Sequence, residues 1–135
     1  MAGKEDKSLK EKFQFKNVTR LAVRNAPGGY IAKLESGLEG IEILAGPDAA
    51  ADAVLLFVNN LAEAQALAPG AVATVAPAKP EGILWIAYPK GGSGIKTDVN
   101  RDKLWPVVQE SGWRPVRQIA LDDVWSAMRF RPGTM

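Results

Sequence analysis

Ala53-Val54-Leu55-Leu56-Phe57-Val58 and Ile83-Leu84-Trp85-Ile86-Ala87-Tyr88 are two unbroken apolar runs near the middle of the chain. An apolar run this short, bounded by turn residues, reads as a β-strand covered on both faces. Between the two lies an alanine-rich stretch, 61–76, opened by Asn60 with Glu63 three residues later, the pattern of a capping box. Pro69-Gly70 falls inside that stretch and is expected to kink or divide the helix. A strand, a helical crossover and a second buried strand place the two runs side by side and parallel, with helices on the faces of the sheet.

Working toward the N-terminus, Val18 to Val23 is β-favouring and stops at Asn25-Ala26-Pro27-Gly28-Gly29. Phe13 and Phe15 alternate with polar neighbours and extend the same expected strand backwards. Tyr30, Ile31 and Leu34 have helical spacing, with Gly37 and Gly40 as stop, and 41–44 is a short strand. Residues 1–12 are nearly devoid of apolar side chains and read as a flexible tail, leaving 13–135 as a single domain. Toward the C-terminus, Lys90 to Asn100 is a polar glycine loop, and 101–111 has helical spacing with a glycine stop at Gly112. Pro106 either kinks that helix or marks its first turn. Val116–Leu121 and Val124–Phe130, separated by Asp122-Asp123, read as an antiparallel hairpin. The expected fold is an α/β, three-layer, Rossmann-like sandwich with a mostly parallel sheet and a C-terminal antiparallel hairpin.

The chain has 135 residues, 47% of them hydrophobic, enough for one core. It contains neither cysteine nor histidine. Thiolate zinc sites, disulfides, cysteine nucleophiles, imidazole metal ligands and triads built on histidine are therefore excluded. No metal site, no cofactor and no catalytic residue is assigned. The formal charge is +2, and residues 90–135 hold eight basic against five acidic side chains. That excess is far below the dense basic stripe of a nucleic-acid binder. No export signal and no run of membrane-spanning length is visible, so the expected location is the cytoplasm.

Ligands of parallel α/β sheets sit outside the carboxyl ends of the strands, here the loops 25–29, 59–60 and 89–98. The loop Tyr88 to Asp98 is the richest of these. Gly91, Gly92 and Gly94 let backbone N–H groups turn inward, while Lys90, Lys96, Ser93 and Thr97 add charge and donors suited to an anion. It is not a phosphate-binding Walker motif, because Ile95 separates Gly94 from Lys96. The plainer reading is a surface connection in which Asp98 or Asn100 caps the next helix. Gly28-Gly29 lacks the repeated G-x-G pattern of a dinucleotide site. Asp122 and Asp123 are expected on the same rim, one of them facing Lys90 or Lys96, with Trp125 and Ser126 beside them. Trp85, Trp105 and Trp113 read as packing residues, and Arg114, Arg117, Arg129 and Arg131 as charges that protect sheet edges.

Trp85, Tyr88-Pro89-Lys90, Ser93-Gly94, Thr97-Asp98, Asp122 and Trp125-Ser126 together resemble the signature of a small bacterial family of single-domain proteins of unknown function. The order of elements is also similar to a shortened class I methyltransferase, in which a glycine turn follows the first strand and a hairpin closes the sheet. That likeness implies a Rossmann-like fold with one strand–helix unit missing. The cofactor glycine pattern and the ribose-holding acid of such enzymes are not matched. The expected function is a non-catalytic binding or interaction module. Its expected ligand-binding residues are Lys90, Ser93, Gly94, Lys96, Thr97, Asp98, Asp122, Trp125 and Ser126, with a small anion or a protein as partner. The alternative is a small enzyme or binder of the nucleotide or S-adenosylmethionine type.

Overall fold

The computed structural model describes residues 9–13, 15, 18–44, 51–75, 82–90, 97–122 and 124–133. Within them the strands are β1 (Arg20–Arg24), β2 (Glu42–Leu44), β3 (Ala53–Phe57), β4 (Ile83–Pro89), β5 (Trp113–Ala120) and β6 (Trp125–Pro132). The helices are α1 (Leu9–Phe13), α2 (Tyr30–Gly37), α3 (Leu61–Val75) and α4 (Arg101–Gln109). Six strands form one sheet in the order β2-β1-β3-β4-β6-β5. The first four are mutually parallel, and the register pairs Val54 with Leu84 and Leu56 with Ile86, as the two apolar runs require. β6 runs antiparallel to both β4 and β5, so every strand except β6 points to one rim.

Side chains alternate between two cores, as the pleat dictates. Ala22, Val54, Leu56, Leu84, Ile86, Met128 and Phe130 face α3 and α4. Leu21, Val23, Leu55, Phe57, Trp85 and Ala127 face α1 and α2. All five residues of β3 are buried, which is why that strand carries no polar residue at all. Among the described residues no helix is long and apolar enough to cross a membrane.

Four local expectations need correction or sharpening. Phe13 is not in a strand: Leu9–Phe13 is helical, so residues 9–12 of the expected tail belong to a helix. Phe13 and Phe15 stack with centroids 5.0 Å apart, and Phe13 sits edge-on to Trp85 at 5.4 Å. The Trp85 Nε1–H donates to the Phe13 carbonyl at 3.0 Å. Burying both rings on the sheet face outweighs the β-like alternation.

α3 is not divided at Pro69. Pro69 and Gln65, whose carbonyl loses its partner, both lie on the exposed face where water replaces the missing bond. Ala64, Ala68, Ala71, Val72 and Val75 hold the other face against the core. Pro106 is likewise interior rather than first-turn, because Asn100 caps α4 by accepting from the Lys103 N–H at 3.0 Å. Gly112, at φ 84, follows α4 in the left-handed conformation that the glycine stop requires.

Finally, the arginines divide differently from expectation. Arg114 and Arg117 lie on the edge strand β5, which also carries an irregularity between Pro115 and Arg117. Arg129 and Arg131 lie on β6, an interior strand, where edge protection is not their role.

Candidate functional site

The strand order reverses between β1 and β3, whose carboxyl ends lie next to each other on the rim. Such a switch point is where open α/β sheets offer a crevice. Here side chains bridge it. Asn25, immediately after β1, has φ 61 and reaches across so that its Nδ2 donates to the Phe57 carbonyl at 2.8 Å and to Glu63 Oε1 at 3.0 Å. Glu63 Oε1 also accepts from the Asn59 backbone N–H at 2.8 Å and from Asn59 Nδ2 at 3.0 Å. The Asn59 backbone N–H, first among these donors, holds the Glu63 carboxyl below the usual carboxylate range despite some desolvation. The expected capping arm is present too, since the Glu63 N–H donates to Asn60 Oδ1 at 2.9 Å. Its reciprocal arm, however, runs to Asn59 and Asn25.

Thr97 and Asp98 reach the same place from the loop after β4. The Thr97 hydroxyl donates to the Asn59 carbonyl at 2.7 Å and accepts from the Val99 N–H at 3.1 Å. Asp98 Oδ1 accepts from the Leu61 N–H at 2.7 Å, so this carboxylate caps α3 rather than the helix that follows it. Ser93, Gly94 and Lys96 lie outside the described residues, as does Asp123.

Farther along the rim, Asp122 collects four hydrogen bonds. Oδ1 accepts from the Val124 and Trp125 N–H groups, each at 2.8 Å. Oδ2 accepts from the Tyr30 hydroxyl at 3.1 Å and from Lys33 Nζ at 3.2 Å. Burial alone would raise the Asp122 pKa, but the Trp125 and Val124 amides, Lys33 and Tyr30 outweigh it, leaving the group below its ordinary value. Burial, followed by the charge and hydrogen bond of Asp122, pushes the Tyr30 phenol well above its usual value.

Among the described residues the cation beside Asp122 is Lys33 of α2 rather than Lys90, while Lys96 and Asp123, the other members of the expected pairing, lie outside them. Lys90 meets this corner through its backbone, donating to the Val124 carbonyl at 2.7 Å. Trp125 is buried edge-on against Phe57 at 5.1 Å, and Phe57 in turn against Tyr30 at 4.8 Å. Ser126 is buried opposite Tyr88 in the β4–β6 ladder.

The rim thus gathers Lys90, Thr97, Asp98, Asp122 and Trp125, but their described polar contacts are to the protein's own backbone and side chains. Sequence reasoning put the loops 25–29 and 59–60 on the rim without giving Asn25 or Asn59 a role, and it missed Tyr30 and Lys33. Asn25 alone left a signal, since an asparagine before Ala-Pro-Gly-Gly suits a left-handed residue. Among the described residues no group of three or more metal-ligating side chains assembles. A cavity of about 390 Å³ lies away from this crevice, between α4 and β5.

No protein-family model and no curated protein matches the chain. Solved structures do. TnmH superposes with a TM-score of 0.68 at 14% identity, over 90% of this chain and 52% of its own. The mitomycin 7-O-methyltransferase MmcR gives 0.63 at 14% identity, over 88% of this chain and 50% of its own. This chain therefore spans about half the length of those two proteins. A SAM-dependent methyltransferase from Aquifex aeolicus gives 0.57 at 13% identity, over 90% of this chain and 86% of its own. At such identities the likeness is one of fold, and it agrees with the strand order and the closing hairpin: the chain has a Rossmann-like fold of the class I methyltransferase type, in shortened form.

Proposed function

We propose that this chain is a non-catalytic binding module, built on a methyltransferase-type sheet whose cofactor crevice is closed by its own side chains. The observation that carries the reading is Asn25, bridging from the end of β1 to the Phe57 carbonyl and Glu63 across the switch point. A ligand entering there would have to break both bonds, and taking the Asn25 donor from the part-buried Phe57 carbonyl would cost about 1–3 kcal/mol unless the ligand replaced it. Thr97 and Asp98, committed to Asn59 and Leu61, narrow the same entrance. With neither histidine nor cysteine in the chain, acid–base and nucleophilic chemistry near neutrality has few candidates. The remaining candidates for contact with a small anion are Lys90 and, outside the described residues, Ser93, Gly94 and Lys96. A cytoplasmic location suits a chain free of cysteine.

A second reading has a specific observation in its favour. Asn25 occupies a left-handed position in a turn that leads through Gly29, at φ 81, into α2, and neighbours of the fold include SAM-dependent methyltransferases. Thermal denaturation separates the two. S-adenosylmethionine held at 100 times its dissociation constant would stabilise a true binder by about 2.7 kcal/mol, or roughly 10 °C in a domain of this size. The closed crevice predicts no concentration-dependent rise, whereas a saturable rise would establish the binder instead.

A further inference from the structure

The cavity between α4 and the edge strand β5 has features that neither the rim nor the fold explains. It is lined by Arg101, Asp102 and Trp105 from α4 with Pro115, Val116, Arg117 and Gln118 from β5, over a floor that includes Met128. Val116 is 41% exposed although it is a large apolar residue, at the point where β5 departs from regular pairing with β6. Trp105 packs only partly against the core, so part of the indole remains open to the cavity. Gln118 is fixed in place, its Nε2 donating to the buried Tyr88 hydroxyl at 2.8 Å.

Charge at the opening is unbalanced. Arg101 has its Nε 3.5 Å from Asp102, which offsets one guanidinium. Arg117 has no carboxylate within ion-pair distance among the described residues. The lining therefore carries one net positive charge beside an apolar and aromatic wall. A volume near 390 Å³ falls toward the small end of ligand sites, enough for one or two fused rings and too small for a dinucleotide.

We propose that this cavity binds a small organic monoanion with a flat apolar body. The body lies against Trp105, Pro115, Val116 and Met128, and its carboxylate or sulfonate meets Arg117, whose planar fork suits such a group. Asp102 disfavours a second negative charge on the ligand, which sets polyphosphates apart from the preferred class. The site is on the outer edge of the α3–α4 face, and it stands whether or not the strand-end crevice is closed.

The probe for this site is 2-naphthoate, followed by ¹H–¹⁵N NMR, with 2-naphthamide as the neutral counterpart. Binding should be saturable, with shifts centred on the Trp105 indole, the Gln118 side-chain amide and backbone 116–118. Naphthamide should bind about tenfold more weakly, as expected for loss of one charge-assisted hydrogen bond. Arg117→Gln should weaken naphthoate about tenfold and leave naphthamide unchanged. Lys103→Gln, at an exposed α4 position outside the cavity, should leave both affinities as they are. Because Arg117 and Lys103 are both exposed, neither variant should disturb the fold, which the NMR spectrum verifies directly. Non-saturable shifts, shifts centred on 25–30 and 59–63, or equal loss in Arg117→Gln and Lys103→Gln would each overturn the proposal.

Discussion

Asp122 does more at the residue scale than any other carboxylate on the rim, tying the β5–β6 turn to α2 through Tyr30 and Lys33. Replacement by Asn keeps the shape but removes the charge, and Asp122→Asn should cost about 1–3 kcal/mol in urea unfolding near neutrality. The sign of the pH dependence follows from its lowered pKa. The carboxylate contributes its full stabilisation above the ordinary Asp value, and the contribution fades as the pH falls through the depressed value of the folded state. The wild type should therefore lose stability in acid more steeply than Asp122→Asn, and equal acid limbs would contradict the assignment. Asn25 supplies a second residue-scale prediction. Asn25→Gly loses two side-chain hydrogen bonds but accepts the left-handed backbone, whereas Asn25→Ala loses the bonds and adds strain, so Ala should be the more destabilising by about 1 kcal/mol. Asp122 is legible in the sequence as an acid beside a turn. Its partners are not, because Tyr30 and Lys33 lie 92 and 89 positions away and meet it only once the sheet has brought the ends of β1 and β5 to one rim.

The elements show which sequence signals survive tertiary packing. The runs 53–58 and 83–88 are legible because an all-apolar stretch between turn residues has few other places to go, and they pair side by side in parallel. The glycine stops also hold: Gly112 lies beyond the end of α4 in the left-handed conformation, while α2 ends on Gly37 with Gly40, at φ 85, three residues further on. Phe13 and Phe15 mislead, because two alternating apolar residues suit a strand as well as a short helix pinned by an aromatic stack. Trp85 anchors that helix, and Trp85→Phe should destabilise the fold by about 2–4 kcal/mol through lost volume and an orphaned Phe13 carbonyl. In α3, proline chemistry predicted a kink or a division; the helix is not divided, and a buried alanine face carries it across the missing bond. Pro69→Ala restores that bond on the exposed face and should raise the urea midpoint, with a gain of about 1–3 kcal/mol. Gly70→Ala, where an added methyl meets open space, should add about 1 kcal/mol more. A fall in midpoint for either variant would mean that the fold depends on Pro69-Gly70 at this point of α3.

At the scale of the whole molecule, strand order is what turns scattered loops into one rim. A mostly parallel sheet with an antiparallel closing hairpin is readable from the pattern of apolar runs and turns, and the order β2-β1-β3-β4-β6-β5 realises it. Which side chains occupy the switch point is not readable that way, because Asn25, Asn59 and Glu63 are ordinary turn and cap residues until the fold assembles them. The likeness to methyltransferases comes from backbone arrangement at 13–14% identity, and it carries the architecture without carrying the chemistry. The closed crevice is tested most directly by a crystal structure grown with S-adenosylhomocysteine at saturating concentration. The Asn25 amide is predicted to remain within hydrogen-bonding distance of the Phe57 carbonyl and Glu63, with no adenosine between β1 and β3. An adenosine seated in that gap, with Asn25 swung away, would contradict it.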